Sequence, residues 1–386
     1  MNGLFIKMKK LNKYKFIVYC FCIFFISVGS IYSADNSKWL SINKNGMQAF
    51  KERDFLNSEK YYLEAIEEAK SFKLWPELSA TLNNLGLLKI EILKFEEAEE
   101  LIKESLNLRL QHYGLNHRYI AQSYNNLARV YEATFRFKES IDLYVKTITI
   151  YENLGKRYSM LLARTLINLS TVQLKIEELD IAQINLIKAL AISKKFSEDN
   201  LVSLSAMQNL AALFTQKSHF IEAEEIYLNL IKIRKNNEKD NSVSFARVLN
   251  NLAVLYKKQC KYDLAYPYIS EAIKIWENLS ISDNSNLAAA YHNLGELYKA
   301  QGKYDLAVKS FTKGLNLINH SLDRFYKQYI EQSYSLINLY VKIDMSDKAK
   351  NLLNIVNEVK NNKGESIITL ETVPDEIYEE CSSSNI

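Results

Sequence analysis

The pair Asn-Leu returns six times along the 386 residues, at Asn84-Leu85, Asn126-Leu127, Asn168-Leu169, Asn209-Leu210, Asn251-Leu252 and Asn293-Leu294, in steps of 42, 42, 41, 42 and 42. A period this constant marks one supersecondary unit copied down the chain, since each copy must show its neighbours the same apolar face to share a core with them. The repeated motif reads Asn-Asn-Leu-Gly or Asn-Asn-Leu-Ala at Asn83 to Gly86, Asn125 to Ala128 and Asn250 to Ala253, and nearly so at His292 to Gly295. Length here counts repeats, not globular domains.

The unit is helical. Helix breakers are scarce, with Pro76, Pro267 and Pro374 the only prolines and glycine held to 10 residues, while strong helix formers abound. In the clearest copy, Leu287 to Leu317, Tyr291, Leu294, Gly295 and Tyr298 stand at i, i+3, i+4 and i+7, one face of a helix. After a turn at Gln301-Gly302-Lys303, the residues Ala307, Phe311 and Gly314 form the facing stripe of a second, antiparallel helix. Small side chains at Gly295 and Ala307 allow the two to approach closely. The same frame fits Leu127, Ala128, Tyr131 and Tyr144; Leu169, Ala182 and Ala189; Leu210, Ala211, Phe214, Ala223 and Tyr227; and Leu252, Ala253, Tyr256, Ala265 and Ala272. Strong repeats cover 79–321, and weaker ones at 38–72 and 330–361 flank them as caps. The expectation is an all-α array of about eight helix pairs within residues 34–363.

The first 33 residues are of another kind. Lys7, Lys9, Lys10, Lys13 and Lys15 precede an uncharged run from Phe16 to Val28, followed by Gly29, Ser30 and a cleavage point after Ser33. A basic stretch, a short apolar run and a small-residue end spell a secretory signal peptide, too short for the roughly 20 residues that span a bilayer. An uncleaved membrane anchor is the second reading. Export to the periplasm or beyond is therefore expected. Removal of five lysines and no acids takes the net charge from +4 to −1, which gives no ground for nucleic-acid binding. The last stretch, 364–386, holds Glu365, Glu371, Asp375, Glu376, Glu379 and Glu380 without a Lys or Arg, and is expected to be a flexible acidic tail. Beyond the signal segment, Cys260 and Cys381 are the only cysteines and read as unrelated thiols.

The pattern of aromatic, Leu, Gly/Ala, Tyr, then Ala, aromatic, Ala resembles the tetratricopeptide repeat. The 42-residue period exceeds that family's usual 34 by about two helical turns, assigned to the second helix or its exit loop. With the Asn-Asn-Leu-Ala signature and the linker Tyr113-Gly114-Leu115-Asn116-His117-Arg118-Tyr119-Ile120-Ala121, it is similar to the kinesin-light-chain type, widespread in bacterial proteins. Arg118 stands where that linker usually has proline, Gln173 replaces an aromatic, and Ser335 ends the asparagine series. Pro267 is placed in the first turn of its helix, where a missing N–H costs little. The resemblance implies a right-handed superhelical solenoid whose concave groove binds protein or extended peptide.

In that frame Asn84, Asn126, Asn168, Asn209, Asn251 and Asn293 should line the groove. Their amides could pair with the backbone of an extended peptide, or bond along the array as a ladder holding repeats in register. His292 occupies an asparagine position, as ligand contact or ladder member. Arg129, Arg164, Arg247, Lys257 and Lys299 lean the groove positive, and so toward an acidic or C-terminal-carboxylate peptide. The histidines show no H-E-x-x-H or Cys grouping at metal-ligand spacing, and no G-x-S-x-G, G-x-x-x-x-G-K or G-x-G-x-x-G is present. No metal, cofactor or catalytic residue is assigned. The function expected is a non-catalytic binding scaffold, with a peptide sensor gated by the acidic tail, and an unrecognised enzyme, as alternatives.

Overall fold

A computed structural model describes residues 37–197, 200–236, 242–279 and 284–374. Residues 1–36, which include the stretch expected to be a signal peptide, and residues 375–386 lie outside the described residues. Sixteen α-helices are present among those described, and no strand. The chain forms two compact units, meeting in sequence at Val172 and Gln173.

The first unit holds α1 (37–51), α2 (Phe55–Ser71), α3 (Trp75–Glu91), α4 (Phe95–Tyr113), α5 (Arg118–Ala133), α6 (Phe137–Leu154) and most of α7 (Ser159–Lys175). From α2 to α6 each helix packs on the next, as stacked hairpins do. One core gathers Trp39, Tyr62, Leu78 and Leu85, and another Ile102, Leu127, Tyr144, Leu169 and Val172. The second unit runs through α8 (Leu179–Ser193), α9 (Leu201–Gln216), α10 (Phe220–Asn236), α11 (Val243–Lys258), α12 (Tyr262–Asn278), α13 (Ser285–Ala300), α14 (Tyr304–Asn319), α15 (Leu322–Lys342) and α16 (Ser346–Asn362). Its cores centre on Tyr227, Leu249, Ile269 and Trp276, and on Phe311, Ile318, Ile337 and Val356.

The core positions come from the periodicity. Ala98, Ala182, Ala223, Ala265, Ala307 and Ala349, at one position in six of the eight second helices, are fully buried, as are Ser58 and Ser140 in the other two. A Cβ on Gly295 would lie 2.6 Å from the Phe311 ring, so the α13–α14 pair closes at a distance only glycine permits. Gln173, in place of an aromatic, is buried and accepts a 2.9 Å hydrogen bond from Asn185 Nδ2. A polar pair takes up the space the ring would fill.

The turns repeat as faithfully as the helices. Arg53, Leu93, Phe135, Glu177, Ser218, Cys260, Gly302 and Asp344, one per hairpin, all adopt a left-handed backbone with φ between 59° and 70°. The following N–H returns to the carbonyl five residues back, as from Lys94 to Lys89 at 2.9 Å and from Arg136 to Tyr131 at 2.8 Å, which closes the helix end. Seven of the eight carry a side chain there, a cost of roughly 1–2 kcal/mol each that the hairpin contacts offset. Cys260 is moreover disulfide-bonded, which corrects its reading as an unrelated thiol.

Two further expectations change. Pro267 is the sixth residue of α12, beyond the first turn, so one intrahelical bond is forgone, the one that would end on the carbonyl of exposed Asp263. The flexible tail expected from residue 364 starts as an ordered segment. Asn357 Nδ2 donates to Ile368 O at 2.8 Å and its Oδ1 accepts from Ile368 N at 2.9 Å, while Asn338 Nδ2 donates to Pro374 O at 2.9 Å. Val373 is buried against the last core, with Ile368 and Leu370 packed beside it. The segment covers the apolar flank that α15 and α16 would otherwise expose, as a cap must.

Candidate peptide-binding face

The first helix of each hairpin carries the repeated asparagines. In the first unit, Asn84 Nδ2 donates to Asn43 Oδ1 at 3.4 Å, Asn126 Nδ2 to Asn83 Oδ1 at 3.0 Å, and Asn168 Nδ2 to Asn125 Oδ1 at 3.3 Å. In the second, Asn293 Nδ2 donates to Asn250 Oδ1 at 3.1 Å. Adjacent helical residues point about 100° apart, so the second asparagine of a pair turns to the repeat before it and the first to the repeat after. That is why the doublet recurs and not a single asparagine. The acceptors Asn83 and Asn250 are buried. Sequence reading named the donors and missed these acceptors, although the doublet was their signal.

The rungs limit what the asparagines can offer a ligand. Asn126 is only 5% exposed and out of reach, a correction to its place among the groove candidates. Asn84, Asn168, Asn209, Asn251 and Asn293 are half-buried and keep an accessible edge. Asn251 hydrogen-bonds with the Tyr227 side chain, and the preceding repeat has Gln208 at the rung-acceptor position. His292 packs on Phe311, ring centroids 5.2 Å apart, and so belongs partly to the core.

The cations divide into paired and unpaired. Arg129 Nη2 lies 3.3 Å from Glu91 Oε1, and Lys299 Nζ 3.5 Å from buried Glu296. Lys257 is half-buried beside Ala253 and Asn293. Arg164 in the first unit and Arg247 in the second are exposed, each four residues ahead of a repeated asparagine, and neither makes an ion pair among the described residues. Among those residues no three His, Cys, Asp or Glu side chains are grouped to hold a metal ion. No described helix is long and apolar enough to cross a membrane.

Known proteins share this arrangement. A tetratricopeptide repeat profile matches residues 77–153, 119–195 and 244–319, together about half of the chain. No curated protein sequence matches it. Among solved structures, BtubC (BKLC) from P. vanneervenii is similar over 58% of this chain and 89% of its own, at 23% identity and a TM-score of 0.50. A tetratricopeptide repeat protein from Parabacteroides merdae is 17% identical over 73% of this chain and 93% of its own, with a TM-score of 0.50. Aspartyl phosphate phosphatase F from Bacillus subtilis is 13% identical over 79% and 77%, with a TM-score of 0.60. At these identities the likeness is one of fold. The doubled asparagines, the small-residue hairpin contacts and the matched profile agree, and the chain belongs to the tetratricopeptide repeat family.

Proposed function

We propose that this protein is a non-catalytic scaffold, exported by its N-terminal segment, that binds another protein or an extended acidic peptide along the exposed face of its first helices. Within each unit, stacked hairpins bury one side of each first helix and leave the other side as a row of side chains, a surface suited to an extended partner. The observation that carries the acidic preference is the pair Arg164 and Arg247: both exposed, at equivalent places in their repeats, and making no ion pair among the described residues. A guanidinium in that state gains most from a carboxylate brought by a ligand, through two parallel hydrogen bonds.

The test is fluorescence anisotropy with a labelled glutamate-rich decapeptide and its lysine-rich counterpart. The wild-type protein should prefer the acidic peptide, and Arg164→Glu and Arg247→Glu should each weaken that binding by roughly tenfold, the effect of replacing attraction by like-charge repulsion. Equal affinity of the variants for the acidic peptide would reject this face as its seat.

A further inference from the structure

One cluster in the first unit is left over by that reading, where the end of α4, the linker and the start of α5 meet α6. Arg109 is 2% exposed. Its Nη1 donates to Tyr119 O at 2.9 Å, Ser123 Oγ at 2.8 Å and Asn83 Oδ1 at 3.5 Å. All three acceptors are neutral. Its Nε, and the Nδ2 of Asn83 beside it, are buried donors without an acceptor. Burial pushes the Arg109 pKa down to about 10, so the group is still a cation at neutral pH.

A second cation is drawn to the same place. The Arg118 guanidinium lies 4.5 Å from the Tyr119 ring centroid and donates to its hydroxyl at 2.6 Å, while Arg109 lies 5.3 Å from the same ring. His117 stacks on Tyr113 with centroids 4.4 Å apart, and burial with the two arginines holds its pKa below the usual imidazole range. Tyr151, which feels the charge of Arg164 and, less, of Arg109, stacks on Tyr158. Arg118 is the residue found where the resembled linker has proline, so this cation is a departure peculiar to the chain. Neither arginine forms an ion pair with an acid among the described residues. A buried guanidinium without counter-charge costs several kcal/mol relative to a paired one, and orphaned buried donors call for an unseen acceptor.

We propose that this cluster is an oxyanion site, in which Arg109 and Arg118 bind a carboxylate or phosphate group between the walls of Tyr113, Tyr119 and Tyr158. Arg109 supplies a buried, fixed fork, held by Tyr119 O and Ser123. Arg118, exposed and held against Tyr119, bounds the anion on the solvent side. The aromatic walls lower the local dielectric and strengthen both contacts. Arg164 of the peptide face acts on Tyr151 at the edge of this cluster, but Arg247 lies in the other unit, so the Arg247→Glu variant tells the two ideas apart.

The test uses the full chain and two probes, inorganic phosphate and the glutamate-rich decapeptide, with affinities from calorimetry in chloride buffer of matched ionic strength. Arg118→Gln, at an exposed position that leaves the fold intact, should weaken at least one probe by roughly tenfold, while Arg247→Glu leaves phosphate binding unchanged. Loss of phosphate binding identifies a small free anion as occupant; loss of peptide binding alone identifies a side-chain carboxylate on a partner. Arg109→Lys, which keeps the charge and removes the fork, should weaken the same probe. If neither probe binds the wild-type protein, or if Arg118→Gln binds both as well as wild type does, the orphaned donors are met by internal water and the proposal is overturned.

Discussion

At the scale of single residues, the hairpin turns show how local strain is tolerated when every copy of a repeat needs it. Gly302 is the one glycine among eight left-handed turn positions, and a Cβ there would touch nothing within 4 Å. Contacts therefore predict that Gly302→Ala is silent, whereas backbone energetics predict a loss of about 1 kcal/mol. Chemical denaturation should show that loss as a lower midpoint with unchanged slope. The seven side chains tolerated at the equivalent turns set the upper limit on the penalty. Sequence reading placed this turn by its Gln-Gly-Lys signal but could not extend the conformation to Leu93 or Phe135, residues that ordinarily avoid it.

At the scale of elements, neighbouring first helices are tied by single amide rungs. Asn293→Ala removes the donor and leaves the buried Oδ1 of Asn250 without it, which should cost about 1–3 kcal/mol. Adding Asn250→Ala should cost less than the sum of the two single changes, with a coupling of about 1 kcal/mol in a double-mutant cycle. Strict additivity would mean that the rung contributes nothing to register. The doublet was plain in the sequence, but which asparagine donates and which accepts follows from the 100° turn between adjacent helical residues once the helices are stacked. Arg129 shows the same limit in another form. Lys299 meets Glu296 three residues back on its own helix, a spacing the sequence shows, but only the fold brought Glu91 within reach of Arg129.

At the scale of the whole molecule, stability should depend on alkaline pH through the buried tyrosines. Burial pushes Tyr227 up to about 12, against the opposing hydrogen bonds of Thr215 and Asn251, and pushes Tyr62, Tyr144 and Tyr151 up as well. A raised folded-state pKa gives stability that is complete below the unfolded value near 10 and is lost as pH rises through the folded value, since the unfolded chain releases its proton first. For Tyr227 the two-unit difference amounts to on the order of 2–3 kcal/mol. Thermal unfolding followed by circular dichroism should hold a steady midpoint from pH 8 to 9.5 and fall steeply between pH 10 and 12. Tyr227→Phe should fall less steeply over that window, and parallel curves would show that other groups govern it.

The sequence by itself determined the repeat, its helical hairpins and the faces that pack, because a 42-residue period and a 3.6-residue apolar stripe are both written directly in residue order. It determined the packing alanines and the glycine at 295 for the same reason, since helix approach is limited by side-chain size at fixed intervals. Tertiary structure alone decided the partners. It set asparagine against asparagine 41 or 43 residues away, laid residues 365–374 over the last hairpin, and gathered Arg109, His117 and Arg118 around Tyr119 with no ion-paired acid among the described residues. Those outcomes depend on distances between elements, and distances of that kind are fixed only when stacked helices have buried their shared apolar surface.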